Sequence, residues 1–384
     1  MPLIYLIAGE QSGDILGARL IRAIRARRPD VTFAGIGGAQ MAEEGVASLF
    51  PISDLAVMGL LEVLPKILRL RALLRQAIED VRARRPDVLV TIDSPGFTLR
   101  VLEALRGTGL KRAHYVAPQV WAWREHRVKR YPGLWDELLC LLPFEPDFFA
   151  KHGLTGQFVG HPVLESGADK GNAARFRAAH AIPADARVLT IMPGSRHTEV
   201  SRLLPILEAT LKRLPPDLVP VVPLAGPVAE AVRQATQSWP IPPILVTDPA
   251  EKFDAFAAST AALTKSGTST LELALAGVPM AVTYRVNTLT HWIIKRAALV
   301  KYASIVNLLL DRMVLPELLQ EDGTPENLAD AIGPLLSDPA AAAAQRAGCA
   351  QAIAMLRPPS GLPSDAAAEA VLSLLSDPHR HQHV

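Results

Sequence analysis

The chain has 384 residues, 49% hydrophobic and 20% charged, with 40 Lys and Arg against 38 Asp and Glu for a net charge of +2. At about 150 residues per domain this length fits two domains. The charge balance excludes a disordered tail protein, a coiled coil and a supercharged nucleic-acid binder. Two cysteines, Cys140 and Cys349, are too few for a disulfide framework or a Cys-rich zinc site, and they suit a reducing compartment. The opening residues lack the basic start of a secretory signal and run straight into Glu10 and Asp14. No apolar run reaches the ~20 residues that span a bilayer. A soluble or peripherally attached cytoplasmic protein is expected.

Residues 3–7 form an apolar strand that ends at Gly9. Leu16, Leu20, Ile21 and Ile24 then recur at helical spacing, with Asp14 placed to cap that helix. Further strands are expected at 31–36, 87–92 and 114–116, with a long amphipathic helix at 60–81. The pattern restarts at 188–192, followed by the turn Pro193-Gly194-Ser195-Arg196 and a helix at 199–214. Strands at 218–224, 244–246, 261–264 and 280–284 and a helix at 271–276 complete the second series. Apolar strands alternating with helices make a parallel sheet covered on both faces. Two such series predict an α/β protein of two Rossmann-like domains. Pro162, Gly167, Gly171 and Pro183 mark the boundary region, which divides the chain into 1–165 and 166–384. The tail from 378, with His379, His381 and His383, reads as frayed rather than metal-binding.

Six segments carry possible chemistry. Gly9-Glu10-Gln11-Ser12-Gly13-Asp14 is a strand-to-helix turn where backbone N–H groups can meet a ligand, although it lacks the dinucleotide fingerprint. Asp93 ends an apolar strand, where open α/β sheets bind ligands, and suits a general base. Residues 114–124 hold Trp121 and Trp123 beside Arg124, a grouping suited to sugars or phosphates. Gly194-Ser195-Arg196 and Lys265-Ser266-Gly267-Thr268-Ser269 are two anion-type turns, with Glu272 one helical turn further on and suited to a ribose diol. Residues 57–71, with Met58, Leu60 and Leu61 leading to Arg69 and Arg71, are apolar and then basic, as on a bilayer surface. The plain alternatives are capped helices, an aromatic cluster at a domain edge and a core helix with a solvated basic face.

Together these segments resemble the lipid-A-disaccharide synthases, bacterial transferases with the two-Rossmann-domain, B-type glycosyltransferase (GT-B) fold. The resemblance is collinear over most of the chain. It includes Gly9 to Asp14, Val57-Met58-Gly59, the Asp93 loop, Trp121-Ala122-Trp123-Arg124, Phe144-Glu145, Gly160-His161-Pro162, Pro193 to Arg196, Ser266 to Glu272 and Pro316-Glu317-Leu318-Leu319-Gln320. It implies two parallel sheets facing across a cleft, an acceptor- and membrane-facing first domain and a UDP-sugar-binding second one. It leaves open a final segment that crosses back or is exchanged in a homodimer. The implied reaction joins UDP-2,3-diacylglucosamine to 2,3-diacylglucosamine 1-phosphate (lipid X) with inversion, at the cytoplasmic surface of the inner membrane. No cofactor or metal is implied, UDP being the leaving group, and no nucleic acid is a partner.

By the same resemblance Asp93 is the base, Glu10 and Asp14 position acceptor hydroxyls, and Arg196 stabilises the diphosphate. Gly194, Ser195, Ser266, Gly267, Thr268, Ser269, Glu272 and Asn307 line the UDP site. Met58, Leu60, Leu61, Arg69, Arg71, Trp121 and Arg124 serve the acceptor and the membrane. Gly96, Thr98, Ala117, Gln119 and Val306 depart from the family pattern. The rival readings are another UDP-N-acetylglucosamine-type transferase of this fold, a UDP-sugar epimerase and a non-catalytic binding module. The Trp121 to Arg124 run and Gly160-His161-Pro162 argue against the first. A requirement for acceptor separates the other two.

Overall fold

Strand β1 (Leu3–Ala8) turns Ile4, Leu6 and Ala8 to one core and Tyr5 and Ile7 to another. Side chains alternate across a sheet, so a strand apolar on both sides needs a helical layer on each face. Helix Gln11–Arg27 covers the first face through Leu20, Ile21 and Ile24. Helices Leu60–Arg84 and Pro95–Ala104 cover the second through Leu73, Ala77, Val81, Phe97 and Val101. The computed structural model describes residues 1–55, 60–287 and 299–376, with 60–67 as backbone alone.

The first unit comprises Met1–Pro162 and Leu356–Val384, and the second Val163–Met355. The first is therefore discontinuous. Its last helix, Pro363–Ser376, places Ala367, Ala368 and Val371 in the core that holds Ile4 and Leu20. The first sheet also contains β2 (Thr32–Ile36), β3 (Val88–Ile92), β4 (Lys111–Tyr115), β5 (Glu137–Cys140) and β6 (Gln157–Phe158). All pairings are parallel, in the order β2-β1-β3-β4-β5-β6.

The second sheet is parallel too, in the order β12-β11-β10-β7-β8-β9. Its strands are β7 (Val188–Met192), β8 (Val219–Pro223), β9 (Ile244–Val246), β10 (Ala261–Lys265), β11 (Met280–Tyr284) and β12 (Glu317–Leu319). Leu189 and Ile191 pack under helices His197–Leu211 and Pro325–Ser337. Val188 packs on the other face with Phe176 and Ala255. The expected α/β class with two Rossmann-like units is what the chain forms. Strands β5, β6 and β12, of four, two and three residues, were not expected.

In each sheet the chain reverses its direction of travel once. This happens where β1 lies between β2 and β3, and where β7 lies between β8 and β10. Open α/β sheets form their ligand crevices at the carboxyl ends of such strands. The first crevice receives Gly9, Glu10 and Asp93, and the second receives Gly194 to Arg196 and Lys265 to Ser269.

Candidate active site

Asp93 follows β3 and is tied to β4 by its backbone N–H, which donates to the Tyr115 carbonyl at 2.9 Å. The crevice holds three non-glycine residues in left-handed backbone: Asp93 (φ +50°), Ser94 (+46°) and Val116 (+78°). For a β-branched valine this is strained, and such strain concentrates at functional sites. Burial pushes the Asp93 carboxyl above its ordinary value, against the pull of the Ser94 N–H, and Glu10 pushes it further up. That N–H donates to Asp93 Oδ1 at 2.7 Å. Thr98, one of the departures, donates its hydroxyl to the Asp93 carbonyl at 2.6 Å and so braces the turn from beneath.

The first loop lies directly on this turn. A Cβ on Gly9 would stand 2.4 Å from Ser94 Oγ, so only glycine permits the approach. Ser94 Oγ–H donates to Glu10 Oε1 at 3.4 Å. The structure thus brings Glu10 and Asp93 to one place. Asp14 is a correction. It lies inside helix Gln11–Arg27 and is buried, and it accepts N–H groups from Gly38 (2.7 Å), Gln40 (2.9 Å) and Met41 (3.0 Å). It caps the short helix Ala39–Glu43 rather than its own helix or an acceptor hydroxyl.

Trp121 and Arg124 follow β4 at the same end of the sheet. Trp121 Nε1–H donates to Glu145 Oε1 at 3.0 Å, and its ring meets Phe144 edge-on at 4.9 Å. The Arg124 guanidinium lies 3.6 Å above the half-exposed Trp123 ring. Glu145 has no assigned role in the sequence reading, yet it holds this loop. Buried at the start of helix Glu145–Ala150, it reaches back to the end of β5, where its Oε2 accepts the Leu141 and Leu142 N–H groups at 2.9 Å each. Burial pushes its carboxyl up to about 7, against the pull of these donors.

A folded value above the unfolded one means that the stability Glu145 contributes is present below the ordinary carboxylate range. It is lost as pH rises through about 7. Protonation removes acceptor capacity from Trp121. We expect tryptophan fluorescence to titrate with a midpoint of about 7, and the step to vanish in Trp121→Phe. A step that persists in that variant would place its source elsewhere.

In the second unit, the carboxyl ends of β7 to β10 enclose a cavity of about 360 Å³. Gly194, Ser195, Thr268 and Ser269 line it, and so do Lys265, which the sequence places at the start of the second turn without a role of its own, and Lys252, which the sequence does not single out. Gly194 has φ +118°, and a Cβ there would stand 2.6 Å from Glu199 Oε2. Glu199 is buried at the first turn of helix His197–Leu211. Its Oε2 accepts the backbone N–H of Ser195 (3.1 Å) and Arg196 (3.3 Å). Its Oε1 faces Arg196 Nη1 (3.5 Å) and Lys265 Nζ (3.2 Å). The Arg196 side chain is otherwise largely solvent-exposed.

Glu272 binds Lys252 Nζ with both oxygens, at 3.0 and 2.8 Å. Ser266 Oγ–H donates to the Ala303 carbonyl at 3.0 Å, and Gly267 opens helix Thr268–Leu275. Asn307 is held inside the fold. It is fully buried, and its Oδ1 accepts the N–H groups of Val314 (2.8 Å) and Leu315 (2.9 Å). Its Nδ2 donates to the Leu315 carbonyl and to Glu317 Oε1, both at 2.8 Å. With its side-chain polar atoms paired inside the fold, it staples the 314–317 segment.

Met58 lies outside the described residues, as do the side chains of Leu60 and Leu61 and the tail histidines. Further along that helix Leu68 is 74% exposed. Arg69 pairs with Asp54 at 2.8 Å, and Arg71 and Arg75 are exposed. Among the described residues no helix is long and apolar enough to cross a membrane.

The family model described as Lipid-A-disaccharide synthetase matches residues 4–371. A lipid-A-disaccharide synthase of Granulibacter bethesdensis is 56% identical, covering 97% of this chain and 99% of that protein. One from Gluconobacter oxydans is also 56% identical, covering 98% and 91%. Among solved structures, Neisseria meningitidis UDP-GlcNAc 2-epimerase bound to UDP-GlcNAc matches with a TM-score of 0.64 at 14% identity, covering 98% of this chain and 100% of that one. Acinetobacter baumannii MurG matches with a TM-score of 0.59 at 14% identity, covering 97% and 100%. At that identity the two structures speak for the GT-B fold alone, whereas the family match and the close relatives extend over almost the whole sequence. The chain belongs to the lipid-A-disaccharide synthase family, glycosyltransferases of lipid A biosynthesis.

Proposed function

We propose that the protein transfers the sugar of UDP-2,3-diacylglucosamine to the 6-hydroxyl of 2,3-diacylglucosamine 1-phosphate. The product is a β-1,6-linked disaccharide 1-phosphate. An α-linked donor giving a β product requires one inverting displacement. The acceptor oxygen bonds to C1, the bond from C1 to the phosphate oxygen breaks, and its electron pair leaves with UDP. The acceptor proton passes to a base. Asp93 supports that role, because a carboxylate whose proton affinity burial has raised is a stronger base than an exposed one. Glu10, beside it, orients the acceptor.

In the second unit, Leu224 and Val246 offer apolar walls for a base, while Arg196, exposed on the turn beside the cavity rather than among its lining residues, offers charge to the leaving diphosphate. Glu272, held by Lys252, takes the ribose hydroxyls. The observation that carries this reading is the raised carboxylate in one crevice and the cation-lined cavity in the other, in a chain of this family. No metal enters the proposal. Leu68, Arg71 and Arg75 support contact with an anionic bilayer at the inner membrane's cytoplasmic face.

The test is to incubate donor and acceptor with the enzyme and a chelator, and to identify the product by its anomeric coupling. A β-linked disaccharide 1-phosphate is expected. An α-linked product, or hydrolysed donor alone, would overturn the reading.

A further inference from the structure

The turn after β7 is not the open anion cradle that its sequence suggests. The two backbone N–H groups that a phosphate would use there, those of Ser195 and Arg196, already donate to Glu199 Oε2. A diphosphate therefore has to find its positive partners among side chains and at the second turn. Arg196 is one such partner. The other stands at the end of β10, where Lys265 lines the cavity.

The Lys265 ammonium is held by one carboxylate and lies close against the second turn. Its Nζ lies 3.2 Å from Glu199 Oε1, and it would stand 3.2 Å from a Cβ placed on Gly267. It thus lies between the two glycine turns, beside the first turn of helix Thr268–Leu275, whose N-terminus favours an anion. Its side chain is only 18% exposed, whereas that of Arg196 is 53% exposed. A partly desolvated cation held in place gains more from a nearby phosphate than one that must first be ordered from solvent.

We infer that Lys265 is a diphosphate-binding residue of this site, and that Glu199 is its positioning residue, holding the ammonium between the two glycine turns. The inference rests on the UDP-sugar reading above and adds a second cation to Arg196. Glu199 acts through Lys265 and through the turn; it does not touch the nucleotide. As UDP leaves, the Lys265 ammonium offsets charge on the phosphate oxygens that the turn's own N–H groups cannot reach.

The experiment compares UDP with uridine by calorimetry on the full-length enzyme. In Lys265→Met, which keeps the side chain's length without its charge, UDP affinity should fall by about ten- to a hundredfold, the range for losing one charge-assisted hydrogen bond. Uridine affinity should stay within about twofold, because a nucleoside has no phosphate for Lys265 to meet. Lys265→Arg should recover most of the UDP affinity. Glu199→Gln keeps an acceptor for the turn but not the ion pair, and it should show the same preference for losing UDP over uridine.

Equal losses for UDP and uridine in Lys265→Met would assign Lys265 a purely structural role and overturn the inference. Unchanged UDP affinity would overturn it as well. Failure of the UDP-sugar reading has a different signature, which is a wild-type enzyme that binds neither UDP nor uridine.

Discussion

Asp93→Asn should lower kcat by about 10²–10⁴, the usual contribution of a positioned general base, and leave UDP affinity unchanged. The substitution is close to isosteric. Asparagine tolerates the left-handed backbone that Asp93 adopts at φ +50°, and its side-chain oxygen still accepts the Ser94 N–H. Loss of activity would therefore report the missing proton acceptor and not a collapsed loop. The pH profile gives an independent reading. A base works when deprotonated, so the rate falls as pH drops through its pKa. Burial and Glu10 raise Asp93, so the acid limb should lie above the ordinary carboxylate range. Glu10→Gln removes a negative neighbour and should move that limb to lower pH. Steady-state rates across pH and UDP calorimetry check both statements. A kcat for Asp93→Asn within a few-fold of wild type would pass the base role to another group.

Asn307→Ala should be among the most destabilising single substitutions in the second unit, with a cost of about 3 kcal/mol or more. It leaves the N–H and carbonyl of the fully buried Leu315 and the N–H of the partly buried Val314 without their partner, at about 1–3 kcal/mol for each buried group left unpaired. For a unit of this size the melting transition should drop by roughly 6–12 °C. Calorimetry or circular dichroism would measure it, and UDP binding at low temperature would complete the comparison. The structural role predicts a large thermal shift with UDP affinity retained in the folded protein. A nucleotide-contact role predicts the reverse.

Asp14 and Asn307 show what the sequence alone does not reveal. Both are polar residues next to apolar ones, Asp14 just before Ile15-Leu16 and Asn307 inside the run 305–310. Nothing in a linear pattern distinguishes a carboxylate that caps a distant helix from one that faces a ligand. The three N–H groups that fix Asp14 come from residues 24 to 27 positions away. By contrast, Asp93 was legible because the run 88–92 is apolar but for Thr91, which marks a central strand and so places the next residue at its carboxyl end.

Gly194 and Thr268 were legible for the same reason. The roles of Lys265 and Lys252 were not, because a lysine at a strand end or on a helix is usually a solvated charge. What distinguishes them is burial and a carboxylate partner brought from another element, Glu199 for one and Glu272 for the other. The two-unit architecture followed from the restart of the βα pattern at 188. The return of helix Pro363–Ser376 to the first sheet depends on tertiary packing of an Ala-rich face that would suit many surfaces.

The most direct test of the central claim is the acceptor dependence of UDP release. The enzyme is mixed with UDP-2,3-diacylglucosamine, with and without 2,3-diacylglucosamine 1-phosphate, and UDP and disaccharide are quantified together. The account predicts UDP and disaccharide 1-phosphate in equal amounts when acceptor is present, and neither without it. An isomerised UDP-sugar formed from donor alone, or UDP released with no disaccharide, would contradict it.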